Sequence, residues 1–556
     1  MLNRPTDTKQ PRRTAQFRII TALLFSFFAI TAFGGEIKIA ITSQYLNIPI
    51  RDKNDMKVVQ LQLNGAMQRE LPLRLAEDTI DYWIFIDVSE FKGQTITLTG
   101  DESSKALARI YQDNHIAGED SLYKESNRPQ FHFTVKRGWN NDVNGPIYYN
   151  GQYHMFWQYF PFGVRSDGGF IYWGHATSKD LVHWKDEGVS LMVDSLGSIW
   201  SGTATIDKNN DGGWGKNALV VFYACYNRFT NKQVQCVAYS NDNGKTFTRI
   251  KGNPVVDTDD ELKTTDTRDP KIFWYEPTKT WVLILFEKDG MSFFNSTDLR
   301  HFKRQSHFAG LWECPDFFEL PVDGNNSNKK WVLHGGSCDY FIGTFDGKTF
   351  TPETEKLRYA EGKNENGDDA IYAAESFENM PNGRRVQMGW GRIAGTGQPF
   401  TQMILFPTDF ALKTTPKGIR LVATPVKEIE KLHKAAHNWN NVTVQQANSG
   451  LGSIAADPLH VKMKISMAQG NKLTVAYQGN DILTLSDQNA KAGDNDVEIL
   501  IDKTVTEVFI NGGEHYIVNN LPTKKNHSGL QFNTSDNGVM FKALQVYEMG
   551  SMWGGK

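Results

Sequence analysis

Cysteine is scarce in this chain. Four residues, Cys225, Cys236, Cys314 and Cys338, are spread over 556 positions. That spacing excludes a small scaffold held by disulfides and offers no zinc-ligand pattern. Cys225 and Cys236 are close enough to face each other across a hairpin, and free buried thiols are the expected state. Charge of one sign is also missing. Lys and Arg total 60 against 63 Asp and Glu, for a net charge of −3, and no basic stripe stands out. Nucleic acid is therefore not an expected partner. Long apolar runs are absent except at the start. Arg12, Arg13 and Arg18 precede an apolar stretch from Ile19 to Phe33, with small residues at Ala32 and Gly34 suited to a cleavage site. A run of about fifteen residues is short for a membrane span and suits the apolar core of a signal peptide. Residues 1–34 are expected to direct export to a periplasmic, cell-surface or extracellular location, leaving no membrane span in the mature chain.

What the chain has in quantity is aromatic residues, 12% of the total. Most belong in a β-rich core. Some are candidates to pack on sugar rings, whose C–H faces suit aromatic faces. Alternating segments such as Ile37–Ile41, Val58–Leu63 and Thr95–Thr99 predict short half-buried strands, so residues 36–110 read as a small N-terminal β-domain. Residues 101–128 are polar and read as a linker. A turn motif then repeats: Ser178-Lys179-Asp180 before Trp184, Ser240-Asn241-Asp242 before Phe247, Ser296-Thr297-Asp298 before Phe302, and Thr344-Phe345-Asp346 before Phe350. The copies recur about every 50–60 residues, near the length of a four-stranded propeller blade. A five-bladed β-propeller over residues 127–425 is expected, with each turn joining outer strands and each aromatic packing between blades. Val426 to Ala435 has helical spacing and reads as a connector. Alternating runs from 437 to 549 predict a C-terminal β-sandwich. The fold class is all-β.

Three acidic motifs carry the chemistry: Trp139-Asn140-Asn141-Asp142-Val143-Asn144-Gly145, Arg268-Asp269-Pro270 and Glu313-Cys314-Pro315. Asn141 and Asn144 offer amide donors to Asp142, which favours its ionised, nucleophilic form. Arg268 beside Asp269 keeps that carboxylate charged. Glu313 stands in a largely apolar run, and burial would raise its pKa as a general acid requires. A nucleophile, an orienting carboxylate and a proton donor are the minimum for cleaving a glycosidic bond.

The order and context of these motifs resemble glycoside hydrolase family 32, the β-fructofuranosidases. The resemblance includes Asn127–Phe133, Trp173–Trp184, Gly383–Trp390 and Ile501–Phe509. It implies a propeller followed by a sandwich. It also implies a retaining cleavage of terminal β-D-fructofuranosides, with Asp142 as nucleophile, Glu313 as acid and base, and Asp269 stabilising the transition state. Asn141, Gln158, Trp200, Ser201, Arg268 and Trp390 would line the fructose subsite. The partner is a fructose-containing oligo- or polysaccharide, and neither metal nor organic cofactor is implied. Four positions depart from the family pattern: Asn140 for Met or Leu, Val143 for Pro, Phe160 for Asn, and Gly168 for Trp. All four are expected to border the fructose ring and the leaving group. Two other readings stay open: an inverting propeller glycosidase with more widely spaced carboxylates, and a fructan-binding protein with a decayed site. Linkage preference and oligomeric state are not specified by these residues.

Overall fold

The computed structural model describes residues 35–554, apart from residues 167, 258–261, 395, 396, 453, 455, 456, 523–528 and 536. The expected signal segment lies outside the described residues. Among the described residues strands are the dominant regular structure, divided among separate sheets that are mostly antiparallel. No helix of the described residues is long and apolar enough to cross a membrane.

The N-terminal unit holds two sheets. Gly35–Ala40, Thr95–Gly100, Lys57–Leu63 and Ala66–Leu73 form one, and Tyr45–Ile50, Tyr82–Asp87 and Tyr111–Asp113 form the other. Alternation sets the packing. Val59 and Leu61 point inward from one sheet to meet Leu46, Ile48, Ile84 and Ile86 from the other. The expected polar linker is partly built into this unit. Ser103 caps a short helix, Ser104–Leu107, and Tyr111–Asp113 pairs with Tyr45–Ile50.

Five consecutive groups of strands follow. The first is Gly138–Tyr149, Gln152–Phe160, Tyr172–Ser178 and Trp184–Leu191, each strand antiparallel to the next. The second and third begin at Ser198–Asp207 and Thr267–Tyr275. The fourth begins at Asp316–Val322, and the last contains Ile371–Ser376, Val386–Gly391, Thr408–Thr415 and Gly418–Pro425. The ladders of these two groups join at one parallel pair, Val322 with Leu412, and side-chain bonds such as Ser376 to Asp316 also bridge them. Phe400–Thr401 pairs in parallel with Gly138 and Trp139, returning the chain to the first sheet.

The repeated turn has a physical basis in side-chain hydrogen bonding to the backbone. Asp180 accepts from the amides of Val182 and His183, Asp298 from Arg300 and His301, and Asp346 from Lys348 and Thr349. The aromatic that follows reaches a neighbouring sheet. Phe247 meets Phe156 with ring centres 5.7 Å apart, and Phe302 meets Phe222 at 5.8 Å. All four cysteines are free and buried.

The expected helical connector is instead a 3-10 turn, Lys427–Leu432, and His433–Thr443 is already a strand. The apolar spacing at Val426, Ile429 and Leu432 serves one short turn packed on the central core rather than a full helix. A helix does occur nearby at Val444–Leu451, where Thr443 and Gln446 form a reciprocal capping box. The C-terminal strands supply six strands of a seven-stranded sheet, completed by Ala360–Glu361 from the central region, and a three-stranded sheet, around one apolar cluster.

A buried polar clasp joins the C-terminal sheet to the start of the central region. His132 Nδ1 lies 3.0 Å from Asp502 Oδ2, and Nε2 lies 2.8 Å from Glu507 Oε1. Asp502 also accepts from the amides of Gln130 and Phe131, and Glu507 from the Phe406 amide and the Tyr516 hydroxyl. Burial alone would favour neutral imidazole, but the two carboxylates overcome it and lift the His132 pKa to about 9. Because this lies above the ordinary 6.5, the stabilisation is complete below pH 6.5 and is lost as pH climbs through about 9. The shift corresponds to about 3 kcal/mol. The gap in denaturant midpoint between wild type and His132→Gln is expected to narrow from pH 6.5 to 9. A gap that stays flat over this range would show that the imidazole is held neutral.

Candidate active site

Most of the functional side chains come from or just before the first strand of a group, several at a break in the ladder, while Gln158 and Trp390 come from second strands. The register of Gly138–Tyr149 shifts between Asn140 and Val143, which bulges out Asn141 and Asp142. Ser198–Asp207 shifts between Ile199 and Gly202, the position of Trp200 and Ser201. Thr267–Tyr275 shifts between Arg268 and Lys271, at Asp269, and Ile371–Ser376 shifts just after Tyr372. A bulge adds a residue and re-aims the side chains around it. Glu313 and Cys314 precede the strand Asp316–Val322 directly. Asp269, Glu313 and Cys314 all have left-handed backbone, with φ of 58°, 48° and 43°. Such geometry is costly for residues with a Cβ and is held only where surrounding structure enforces it.

The three carboxylates meet in one cavity of about 230 Å³. Asn141, Gln158, Trp200, Arg268 and Trp390 share its wall with Asp142, Asp269 and Glu313. Ser201 lies just behind, and its hydroxyl donates to Asp142 Oδ2 at 2.6 Å. Every residue expected to be catalytic or substrate-binding is thus in or against this cavity.

Asp142 is held by a ring of donors. Oδ2 also accepts from Gln158 Nε2 at 3.3 Å and from the Cys314 thiol at 3.6 Å, while Oδ1 accepts from Asn141 Nδ2 at 3.2 Å. Asn144, expected as a donor, is not among them. The donors are themselves fixed: Asn141 donates to Gln158 at 2.8 Å and accepts from the Trp139 indole at 3.1 Å. Burial pushes the Asp142 pKa up to about 6, against the lowering effect of Ser201 and with added repulsion from Glu313. Asp269 is also pushed up, first by burial, although Arg268 opposes this. It accepts from the Cys314 amide at 3.0 Å and from the Cys314 thiol at 3.6 Å.

Burial was expected at Glu313, and it falls instead on the two aspartates. The Glu313 side chain is 26% exposed. Its Oε1 accepts from Arg268 at 2.6 Å and its Oε2 from the Tyr372 hydroxyl at 2.6 Å. The left-handed turn at Glu313 lifts its carboxylate out of the apolar run and toward the cavity mouth. Arg268 is oriented by Asp266 and by Gln233, and its guanidinium lies over the Phe286 ring at 4.7 Å.

Sequence reasoning missed Tyr372 and the bridging role of the Cys314 thiol. A signal existed for the first: Ile371–Ser376 sets Glu375 in an apolar run much as Glu313 is set. Tyr372 pairs with Trp390 across the strands. The departures fall differently from expectation. Asn140, Val143 and Phe160 are fully buried and do not line the cavity, whereas Gly168 does. Asn140 has no hydrogen-bond partner for either side-chain polar atom.

An all-β protein with three acids gathered in one sugar-sized cavity has the makings of a glycosidase. Comparison with known proteins takes this further. The family model described as "Glycosyl hydrolases family 32 N-terminal domain" matches residues 132–425. The chain is 34% identical over 503 residues to a levanase of Bacillus subtilis (strain 168), covering 79% of this chain and 72% of that one. It is 33% identical over 354 residues to the extracellular exo-inulinase inuE of Aspergillus niger, covering 54% of this chain and 65% of that one. The crystal structure of exo-inulinase from Aspergillus awamori superposes with a TM-score of 0.65 at 24% identity, covering 78% of this chain and all of that one. Fructofuranosidase from Schwanniomyces occidentalis gives 0.66 at 21% identity, covering 77% and 99%. The chain belongs to glycosyl hydrolase family 32.

The raised Asp142 pKa has a consequence for stability. A carboxyl that ionises less readily in the folded state than in the unfolded one costs stability above its folded pKa. That cost is complete above about pH 6 and vanishes below the ordinary 3.8. Asp142→Asn is therefore expected to raise the Tm at pH 8 and to lose that advantage by pH 4. A variant less stable than wild type at pH 8 would show that the donors outweigh the burial.

Proposed function

We propose that this chain is a retaining β-fructofuranosidase. It releases fructose from the ends of levan, inulin, fructooligosaccharides or sucrose, as an exported enzyme whose residues 1–34 are a signal peptide. In this reading the five strand groups are the blades of a propeller and the C-terminal sheets are a β-sandwich. The observation that carries it is the meeting of Asp142, Asp269 and Glu313 in one cavity, with Asp142 oriented by four donors. The family relationship and the printed activities of the levanase and exo-inulinase relatives support the substrate class.

Asp142 attacks the anomeric carbon of a terminal fructosyl unit. Its Oδ2 is saturated by Ser201, Gln158 and Cys314, which leaves Oδ1 with one donor as the attacking atom. Glu313 gives its proton to the departing oxygen. A covalent fructosyl-enzyme results, and Glu313 then removes a proton from the water that hydrolyses it. Two inversions give net retention. Asp269 accepts hydrogen bonds from fructosyl hydroxyls, and its anchorage to the Cys314 amide fixes its position relative to Glu313, one residue earlier. Trp200 and Trp390 offer aromatic faces to the ring.

Incubation with levan, inulin, sucrose and short fructooligosaccharides, followed by product chromatography, tests this reading. Free fructose as the first product supports exo action. A ladder of oligomers replaces it with endo action, and no product from any of the four in folded protein leaves a binding protein. Early NMR spectra should show the β anomer of fructose; the α anomer would indicate an inverting enzyme. Asp142→Asn and Glu313→Gln should each lower kcat at least about a thousandfold. Activity should also fall as pH drops through about 6, where Asp142 takes up its proton.

A further inference from the structure

The N-terminal unit, Gly35 to Asp113, lies outside the region that matches the family, which begins at residue 132. Its apolar core nevertheless does not close on itself. Phe160, Phe162, Phe170, Ile171 and Tyr172 from the first strand group are buried in the same cluster as Leu46, Ile48, Leu61 and Leu98. Trp139 and Trp200 pack against that cluster from the cavity side. Two polar contacts reinforce the seam. The Tyr82 hydroxyl accepts from the Val164 amide at 3.2 Å while donating to Asp52 at 2.6 Å. Glu70 pairs with Arg228 at 2.8 Å, and the Arg228 guanidinium lies 4.2 Å from the centre of the Phe170 ring.

What this seam holds is the wall of the cavity. Ile171 lines it, and exchanges backbone bonds with the strand that carries Trp200 and Ser201: its amide donates to Ser198 Oγ at 2.6 Å and its carbonyl accepts from Ile199 at 2.9 Å. The Trp200 indole donates to the Gly168 carbonyl at 2.9 Å and stacks on Tyr226 at 4.2 Å. A continuous packed path thus runs from the N-terminal sheets through Phe170 and Ile171 to Trp200. The same seam accounts for one departure from the family pattern. An asparagine at position 160 would be buried in this apolar cluster without partners, at a cost that phenylalanine avoids.

We propose that the N-terminal unit is a positioning element of the active site, which sets the affinity for the sugar by fixing the wall formed by Ile171, Gly168 and Trp200. As a statement about affinity this rests on the reading of the cavity as a fructoside site. As a statement about positioning it does not.

Two variants of the full chain test it, both distant from the carboxylates: Tyr82→Phe and Glu70→Arg. Hydrogen exchange is expected to rise at Phe160–Val164, at Phe170–Tyr172 and in the strand bearing Trp200. In the same proteins KM for a short fructooligosaccharide should rise about fivefold, with kcat changing less than about twofold. Adding Arg228→Glu to Glu70→Arg should restore KM. Unchanged exchange in those segments overturns the proposal, whether or not the protein is active. Raised exchange with unchanged KM, in a chain whose wild type releases fructose, overturns it also. A wild type that releases no fructose defeats the enzymatic reading alone, and exchange at the Trp200 strand then decides the positioning.

Discussion

Three carboxylates share one small cavity with a single guanidinium, and much of the surrounding structure follows from keeping them there. Arg268 is bound to Glu313, close to Asp269 and steered by Asp266. The remaining repulsion is met by neutral donors rather than by further cations, so the acids keep their reactivity. Deeper along the same inner strands the charges are paired more completely. Lys271, just past the bulge at Asp269, is fully buried and binds Asp316 at 2.9 Å and Glu378 at 2.8 Å. Arg385 adds a second cation on Glu378 at 3.2 Å. The lower tier is neutralised and rigid, while the upper tier holds an excess of acid. That contrast is how a site keeps unpaired charge inside a fold that elsewhere satisfies its buried ions.

The candidate site was more legible in the sequence than the way it is built. Asp142, Asp269 and Glu313 could be found because acids flanked by Asn, Arg or Pro in apolar surroundings need a reason to be there. Their meeting depends on register breaks and left-handed residues, and neither leaves a compositional mark. Alternation near Asn140 and Arg268 reads the same with or without a bulge. Tyr372 was marked only indirectly, by Glu375 in the same apolar run, since one tyrosine in an aromatic-rich chain carries little signal of its own. The placement of burial at the aspartates instead of Glu313 followed from backbone conformation, which an apolar neighbourhood in sequence does not specify.

At the level of architecture, strand alternation and the Ser/Thr-Asp turn were reliable because each reports a local interaction. The turn is a carboxylate accepting from nearby backbone amides in each copy, two at Asp180, Asp298 and Asp346 and that of Thr246 at Asp242. The segment after Pro425 failed for the opposite reason. Three apolar residues at helical spacing fit one 3-10 turn as well as a helix, and tertiary packing decided between them. The limits of the N-terminal unit were similarly hidden. Phe160, Phe162 and Phe170 look like ordinary core residues of the first strand group, and only in three dimensions do they belong to a neighbour's core.

The strand Gly138–Tyr149, which carries Asp142, is bordered on one side by Gln152–Phe160 and on the other by Phe400–Thr401. Sequence distance makes these borders unequal in time. During synthesis the first neighbour emerges at once, whereas the second does not exist until almost three quarters of the chain has been made. The strand bearing Asp142 therefore waits with one open edge through most of translation. The cavity cannot be completed ahead of the last strand group, which supplies Tyr372 and Trp390. Non-local closure of this kind is also slow, and an open edge is a place for wrong partners to pair. Assembly and activity are thereby tied to one late event, the docking of two residues beside Gly138 and Trp139.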